Sequence, residues 1–225
     1  MISKIIILLS LMAAPLLSQA AEDNANYFSV RPDLRKCPAP LCGGIFVQSV
    51  NHLTTRCADG KLRPECYVAE VNLAALSLPP DEEGPIRDSI QNGTVLLKGQ
   101  LTSKPFGPLG GPGEFETAEV WQAATDARPT GSFFRALDTG VVCIAAPCLS
   151  FQEFKLNSFA ERAIVGVDLS LVGASDKQLA NASKALLTAD GILVAGIHTA
   201  VTGPAGEASA LVASQFYLAV QPGKR

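Results

Sequence analysis

Cys37-Pro-Ala-Pro-Leu-Cys42 and Cys143-Ile-Ala-Ala-Pro-Cys148 read as one loop written twice. The agreement extends outward in both directions. Tyr27–Phe28 and Phe133–Phe134 precede the motifs, with Asp33 and Asp138 between. Asn51 and Asn157 each stand nine residues after the second cysteine. Further on, Val68-Ala-Glu-Val-Asn-Leu73 matches Val165-Gly-Val-Asp-Leu169, and Asn92-Gly-Thr-Val-Leu-Leu-Lys-Gly-Gln-Leu-Thr102 matches Asp190-Gly-Ile-Leu-Val-Ala-Gly-Ile-His-Thr199, each with one gap. Val120-Trp-Gln-Ala-Ala124 matches Phe216-Tyr-Leu-Ala-Val220. Landmarks in one order at a nearly constant offset are the signature of an internal repeat.

The main departure from the repeat chooses among cysteine pairings. The first copy is longer between Asn51 and Asn72 than the second between Asn157 and Asp168, and the extra residues contain Cys57 and Cys66. Two cysteines that arrive together in one insertion are expected to pair with each other. That leaves Cys37 with Cys42 and Cys143 with Cys148, which treats the copies alike. Paired CxxC spacings are absent, so disulfides rather than a metal site are expected, and no cofactor.

Element order is the same in both copies. Strands are expected at Tyr27–Arg31, at Ile45–Val50 after the Gly43–Gly44 turn, and at Cys66–Leu73. A short helix follows from Pro79, with Asp81, Glu82 and Glu83 in its first turn and Asn92–Gly93 ending it. Its counterpart begins with a Ser175/Gln178 capping box, carries Leu179, Ala182 and Leu186 on one face, and stops at Asp190–Gly191. Strands at Thr94–Leu101 and Phe115–Ala123 complete the first copy. The expectation is an α+β, mostly antiparallel protein built as two tandem β-β-β-α-β-β repeats. That succession matches a five-stranded OB-type barrel; an open antiparallel sheet with one packed helix is the alternative. The boundary falls in the turn-rich stretch Asp126–Gly131, giving domains at 21–127 and 128–225 that pack together.

The first 20 residues stand apart. Lys4 precedes an apolar run from Ile5 to Leu17, and Ser18-Gln-Ala20 supplies small residues before a polar stretch. This pattern predicts a signal peptide cleaved after Ala20, and the run is short for a membrane span. The protein is therefore expected to be exported, periplasmic or secreted, in a compartment where disulfides persist. Only 17% of the residues are charged, and the net charge is −3. Arg31, Arg35, Lys36, Arg56, Lys61 and Arg63 cluster in the first copy, but beside Asp33, Asp59 and Glu65. A net acidic chain with mixed charges argues against a nucleic-acid partner.

The stretch Tyr27-Phe-Ser-Val-Arg-Pro-Asp33, with Cys37-Pro-Ala-Pro-Leu-Cys-Gly-Gly44, Cys57-Ala-Asp-Gly60 and Cys66-Tyr-Val-Ala-Glu70, resembles a domain family of unknown function. Its members are common among cysteine-bearing envelope and secreted bacterial proteins. The resemblance covers residues 27 to about 125 and reaches the second half only through the internal repeat. It implies secretion and disulfides and brings no activity with it.

Chemistry-bearing motifs are few. Neither histidine, His52 or His198, belongs to the repeated pattern, and Gly-x-Ser-x-Gly, His-Glu-x-x-His and phosphate-loop signatures are absent. The leading expectation is a non-catalytic exported binding or envelope-interaction protein whose ligand is a protein or glycan. Its candidate contact residues are Pro38, Pro40 and Leu41 in the first cysteine loop, with Phe106 and Leu109 in the Gly/Pro-rich stretch 103–113. The alternative is a secreted protease inhibitor that engages its target through the Cys37–Cys42 loop. An enzyme comes third and requires a pocket uniting His52 with carboxylates.

Overall fold

The computed structural model describes residues 26–103 and 113–220. The candidate signal peptide and the candidate contact residues Phe106 and Leu109 lie outside them. Thirteen strands and two α-helices are formed among the described residues: β1 Asn26–Pro32, β2 Ile45–Ser49, β3 Thr55–Arg56, β4 Leu62–Arg63, β5 Cys66–Asn72, α1 Pro80–Asn92, β6 Val95–Ser103, β7 Gly113–Ala123, β8 Ser132–Asp138, β9 Phe151–Lys155, β10 Glu161–Ile164, β11 Val167–Asp168, α2 Asp176–Leu186, β12 Ile192–Gly203 and β13 Gly206–Ala219. Eleven of the strands share one mostly antiparallel sheet.

That sheet closes on itself in the first half. β1 pairs with β2, β2 with β5, β5 with β7, β7 with β6, and β6 returns to β1; only the β5–β7 contact is parallel. Alternation along the strands explains why the ring has an inside. Phe28 and Val30 of β1, Ile45 and Val47 of β2, and Val68 of β5 are buried in one core with Phe115. The intervening Ser29, Arg31, Phe46 and Tyr67 point outward, as a two-residue period requires. Gly44 enters β2 where an added Cβ would lie 2.0 Å from the Val68 carbonyl oxygen, so this close approach admits only glycine.

In the second half β8 pairs with β9 and β12, β12 with β13, and β9 with β10, while β11 runs parallel to β13. The break between β10 and β11 falls at Val165–Gly166, yet Val165 still donates to the Ser209 carbonyl and Gly166 accepts from Leu211. Phe134, Ile164, Ile192, Leu211 and Phe216 fill the interior.

Helix ends follow local chemistry. Ser175 and Gln178 form the reciprocal capping box expected at the start of α2. Gly93, in the left-handed region at φ 73°, ends α1. The stop expected at Asp190–Gly191 comes earlier: α2 ends at Leu186, because Leu187 and Thr188 turn back on Lys184 and Ala185 and Gly191 instead starts the path into β12. The insertion forms the small β3–β4 hairpin, an element absent from the sequence reading.

The two halves meet along one seam. β7 and β13 pair at Trp121–Ala123 and Ala219–Tyr217, and Val50, Leu96, Trp121, Leu156, Leu193 and Tyr217 form a third buried cluster. Burial there pushes the Tyr217 hydroxyl pKa well up. Asn51 and Asn157, both in the left-handed region at φ 63° and 55°, reach across the seam in opposite directions. Asn51 Nδ2 donates to the carbonyls of Phe133 and Leu156, at 2.8 and 2.9 Å, and its Oδ1 accepts from the Phe133 amide. Asn157 Nδ2 donates to the Tyr27 and Val50 carbonyls and to Ser49 Oγ, and its Oδ1 accepts from the Tyr27 amide at 2.8 Å.

Candidate functional site

Disulfides join Cys37 to Cys42, Cys57 to Cys66 and Cys143 to Cys148. The first and third close the loops that connect β1 to β2 and β8 to β9, and the two loops are held in different ways.

The first loop is braced by the side chains of Asp33, Arg35 and Tyr67. Asp33 accepts two bonds from the Arg35 guanidinium and one from the Gly43 amide, and the guanidinium contact holds its carboxyl down at about 2. Arg35 also donates to the Leu41 carbonyl, the Tyr67 hydroxyl donates to the Pro40 carbonyl, and the Leu41 amide donates to the Pro38 carbonyl. Behind this network lies a cross-strand row. Arg31 and Arg35 stand over the Phe46 ring at 4.3 and 5.0 Å, and Arg35 also covers Tyr67 at 4.7 Å. Arg31 is tied to Glu65 and to the Pro32 carbonyl. Pro38 and Leu41 are exposed and Pro40 is half-buried, but the carbonyls of all three are already occupied. A protease-bound, substrate-like path would have to break those bonds.

The second loop is anchored at its base and at Ala146. Thr139 bonds the Ser150 carbonyl through both amide and hydroxyl, and the Ala205 amide of the β12–β13 hairpin donates to the Ala146 carbonyl at 2.8 Å. From Val141 to Ala146 every residue is apolar and exposed; Val142 is 94% accessible and Ile144 fully so. Among the described residues, the amides and carbonyls of Val142, Cys143 and Ile144 have no hydrogen-bond partner. No charged residue occurs from Thr139 to Gln152. Runs of exposed apolar residues are excluded from soluble surfaces unless they serve a contact. This surface was missed in the sequence reading, which weighted the proline-rich first loop; the missed signal was the uncharged, aliphatic Val141–Ala146 stretch.

Loop 103–113 is described only at its ends. Gly113 pairs with Val68, which pairs with Ile45, so this loop re-enters the sheet two strands from the end of the first stapled loop.

The remaining polar features lie apart from these loops. A cleft of about 720 Å³ separates the outer face of β1 and β2 from residues 123–129, lined by Arg31, Phe46, Gln48, Asp126, Arg128 and Phe133 among others. His52 is not part of it; its Nε2 lies 3.0 Å from the Asn157 carbonyl at the seam. His198 Nε2 lies 2.7 Å from Oε1 of Glu153, a carboxylate only 3% exposed inside the second half, whose Oε2 has no partner. The His198 ring packs edge-on against Phe134, and the cross-strand neighbours of the pair are Leu211, Ala136 and Arg162. The described residues hold no cluster of three or more metal-ligating side chains. Of the six basic residues grouped in the first half, Arg31, Arg35 and Arg63 are each neutralised, by Glu65, Asp33 and Asp59.

A family profile described as a domain of unknown function, DUF6748, matches residues 26–223. The match therefore runs through both halves, whereas the resemblance read from the cysteine motifs extended directly only to about residue 125. No curated protein and no solved structure matches the chain.

Proposed function

From a chain that belongs to the DUF6748 family, whose description assigns no activity, we propose an exported, non-catalytic binding protein that presents stapled loops on a rigid body. The observation that carries this reading is the uninterrupted exposed apolar run Val141–Ala146, fixed at both ends by the Cys143–Cys148 bridge and the Thr139–Ser150 bonds. A loop already held in one shape loses little entropy on binding, so its exposed area is available for affinity. Aliphatic knobs without charge favour a protein partner over a glycan, which is held through hydroxyl-directed polar groups. Neutralised arginines and the acidic balance speak against nucleic acid.

The rigid body is two copies of one OB-type unit, at 21–127 and 128–225. Support comes from the pairing order β1–β2–β5–β7–β6, with β5 and β7 parallel and α1 leading into β6. The order β8–β9–β10/β11–β13–β12, with α2 leading into β12, supports the duplication. So does the reciprocal reach of Asn51 and Asn157. Export is supported by the N-terminal apolar run and the three disulfides, which persist in a periplasm or outside the cell. Inhibition through Cys37–Cys42 has less support, because the carbonyls of Pro38, Pro40 and Leu41 are already hydrogen-bonded.

The test is affinity capture from the producer's envelope and secreted fractions with the oxidised protein, beside a Val142→Asp/Ile144→Asp bait of the same fold. A partner retained by the first bait and lost from the second supports the reading. Equal retention by both, or none by either, refutes it.

A further inference from the structure

We propose that the Cys143–Cys148 loop is the reactive loop of an endopeptidase inhibitor, directed at enzymes whose substrate pocket accepts small aliphatic side chains. The inference rests on the binding role of this loop proposed above and names its partner class.

Three properties of the loop point to a substrate cleft rather than to another surface. First, the amides and carbonyls of Val142, Cys143 and Ile144 are open, and endopeptidases hold substrates by pairing with an extended backbone as a sheet edge does. Second, Val142 and Ile144 are almost wholly exposed at alternate positions while Cys143 between them is tied back by its bridge. Two exposed aliphatic side chains separated by one residue are thus offered to neighbouring pockets, with the bend from Ile144 to Pro147 following directly. Third, the stretch lacks the basic and Trp/Tyr residues with which a lipid-surface segment anchors itself, and Thr139–Gln152 carries no charge at all.

The staple explains why such a loop would inhibit rather than be consumed. Hydrolysis of the Ile144–Ala145 bond takes up one water and yields an Ile144 carboxylate and an Ala145 amine. Both new ends lie inside the Cys143–Cys148 ring, so neither can diffuse away. Ala146 remains bonded to Ala205, and Thr139 to Ser150. The Ala145 amine stays beside the Ile144 carboxyl group at high effective concentration, and re-formation of the peptide bond, which returns the water, competes with release.

The test measures inhibition of pancreatic elastase, with its small apolar pocket, and of trypsin, with its aspartate-lined one. The oxidised wild-type protein is expected to inhibit elastase and not trypsin. Ile144→Asp should weaken elastase inhibition roughly 100-fold, the loss typical of a central contact residue, and Ile144→Lys should transfer inhibition to trypsin. Cys143→Ser/Cys148→Ser, which keeps the sequence of the site but opens the ring, should turn the inhibitor into a substrate cut and released within the loop. Thermal unfolding of each variant checks that the fold is retained, which the full exposure of Ile144 allows. Absence of elastase inhibition by the wild type, or inhibition insensitive to Ile144→Asp, overturns the proposal. So does binding to phosphatidylcholine/phosphatidylglycerol vesicles that depends on Val142 and Ile144. If these assays fail while capture still depends on Val142 and Ile144, the inhibitor assignment falls and the binding role stands; if capture fails as well, both fall.

Discussion

Replacing the half-buried Asn51 by alanine should destabilise the protein more than most loop substitutions. The Asn51 side chain makes three hydrogen bonds across the seam, two from Nδ2 to the Phe133 and Leu156 carbonyls and one from the Phe133 amide to Oδ1. At a net contribution of about 1 kcal/mol each, their loss costs roughly 3 kcal/mol. Alanine must also adopt φ 63°, which costs an L-residue with a plain Cβ about 1 kcal/mol more. Asn51→Ala is therefore expected to lose about 4 kcal/mol. Asn51→Gly, which tolerates that φ, should lose about 1 kcal/mol less. For a cooperative unit of this size 1 kcal/mol corresponds to roughly 2–4 °C, so the alanine variant should melt about 8–16 °C lower. The measurement is urea and thermal unfolding of both variants, followed at the Trp121 fluorescence of the seam, with Asn157→Ala and the double variant completing a cycle. Because Asn51 bonds Leu156 and Asn157 bonds Val50, each beside the other asparagine, the two losses should fall short of additivity by more than about 0.5 kcal/mol. Losses below about 1 kcal/mol in both Asn51 variants would refute the assignment of the seam's stability to these side chains.

The Glu153–His198 pair should behave as a buried polar couple whose halves are worth keeping only together. His198→Ala, which leaves the carboxylate inside the second half unpaired, should cost about 3–5 kcal/mol; the joint change Glu153→Val/His198→Leu, which installs the residues found at the corresponding places in the first half, should be neutral or stabilising by about 1–4 kcal/mol. Urea unfolding of the two proteins decides this, and equal losses in both would defeat it. Asp33 should titrate at about pH 2, because the Arg35 guanidinium and the Gly43 amide favour its charged form. A lowered carboxyl pKa gives a contribution present above the unfolded value near 4 and lost as pH falls toward 2. The loop's bracing should therefore survive at pH 4 and fail near pH 2, read from the Asp33 carboxyl resonance and the Leu41 amide shift. In an Arg35→Ala protein the Asp33 midpoint should move back up toward 4, and an unmoved midpoint would count against the brace.

Periodic and local signals were legible in the residues. Strand alternation, the Ser175/Gln178 capping box and the Asn92–Gly93 stop are short-range chemistry, and each acts within a few residues of where it is written. Asn51 and Asn157 could be seen to recur, but not what they do, because their partners lie 82 to 130 residues away. The β3–β4 hairpin escaped because strands of two residues have no period to read. The β10–β11 break escaped for a related reason: Val165–Gly166 looks like strand interior, and only the change of partner from β9 to β13 divides it. Glu153 was invisible as a buried group because a carboxylate in an alternating strand reads as its solvent face. Only the inward register with Ala136 turns it into the core.

The contrast between the stapled loops is in their bracing and not in their bridges. Aligned on their cysteines, Arg35 and Lys36 stand where the second loop has Val141 and Val142, and Pro38 where it has Ile144. The carbonyls of Pro40 and Ala146, at matching positions, are both anchored, by the Tyr67 hydroxyl and the Ala205 amide. What differs is Arg35, which in the first loop engages Asp33, Leu41 and two aromatic rings. A valine in its place can do none of this, so the second loop keeps its staple and its anchor while its outer backbone and side chains stay unspent. On the duplication proposed here, the two copies have divided the work. The first loop stiffens the outer face of β1, β2 and β5, and on the binding role proposed above the second holds the same covalent frame open toward a partner. The same alignment accounts for the charge pattern, since Thr139, Val141 and Val142 stand in the places of Asp33, Arg35 and Lys36, which leaves Thr139–Gln152 uncharged.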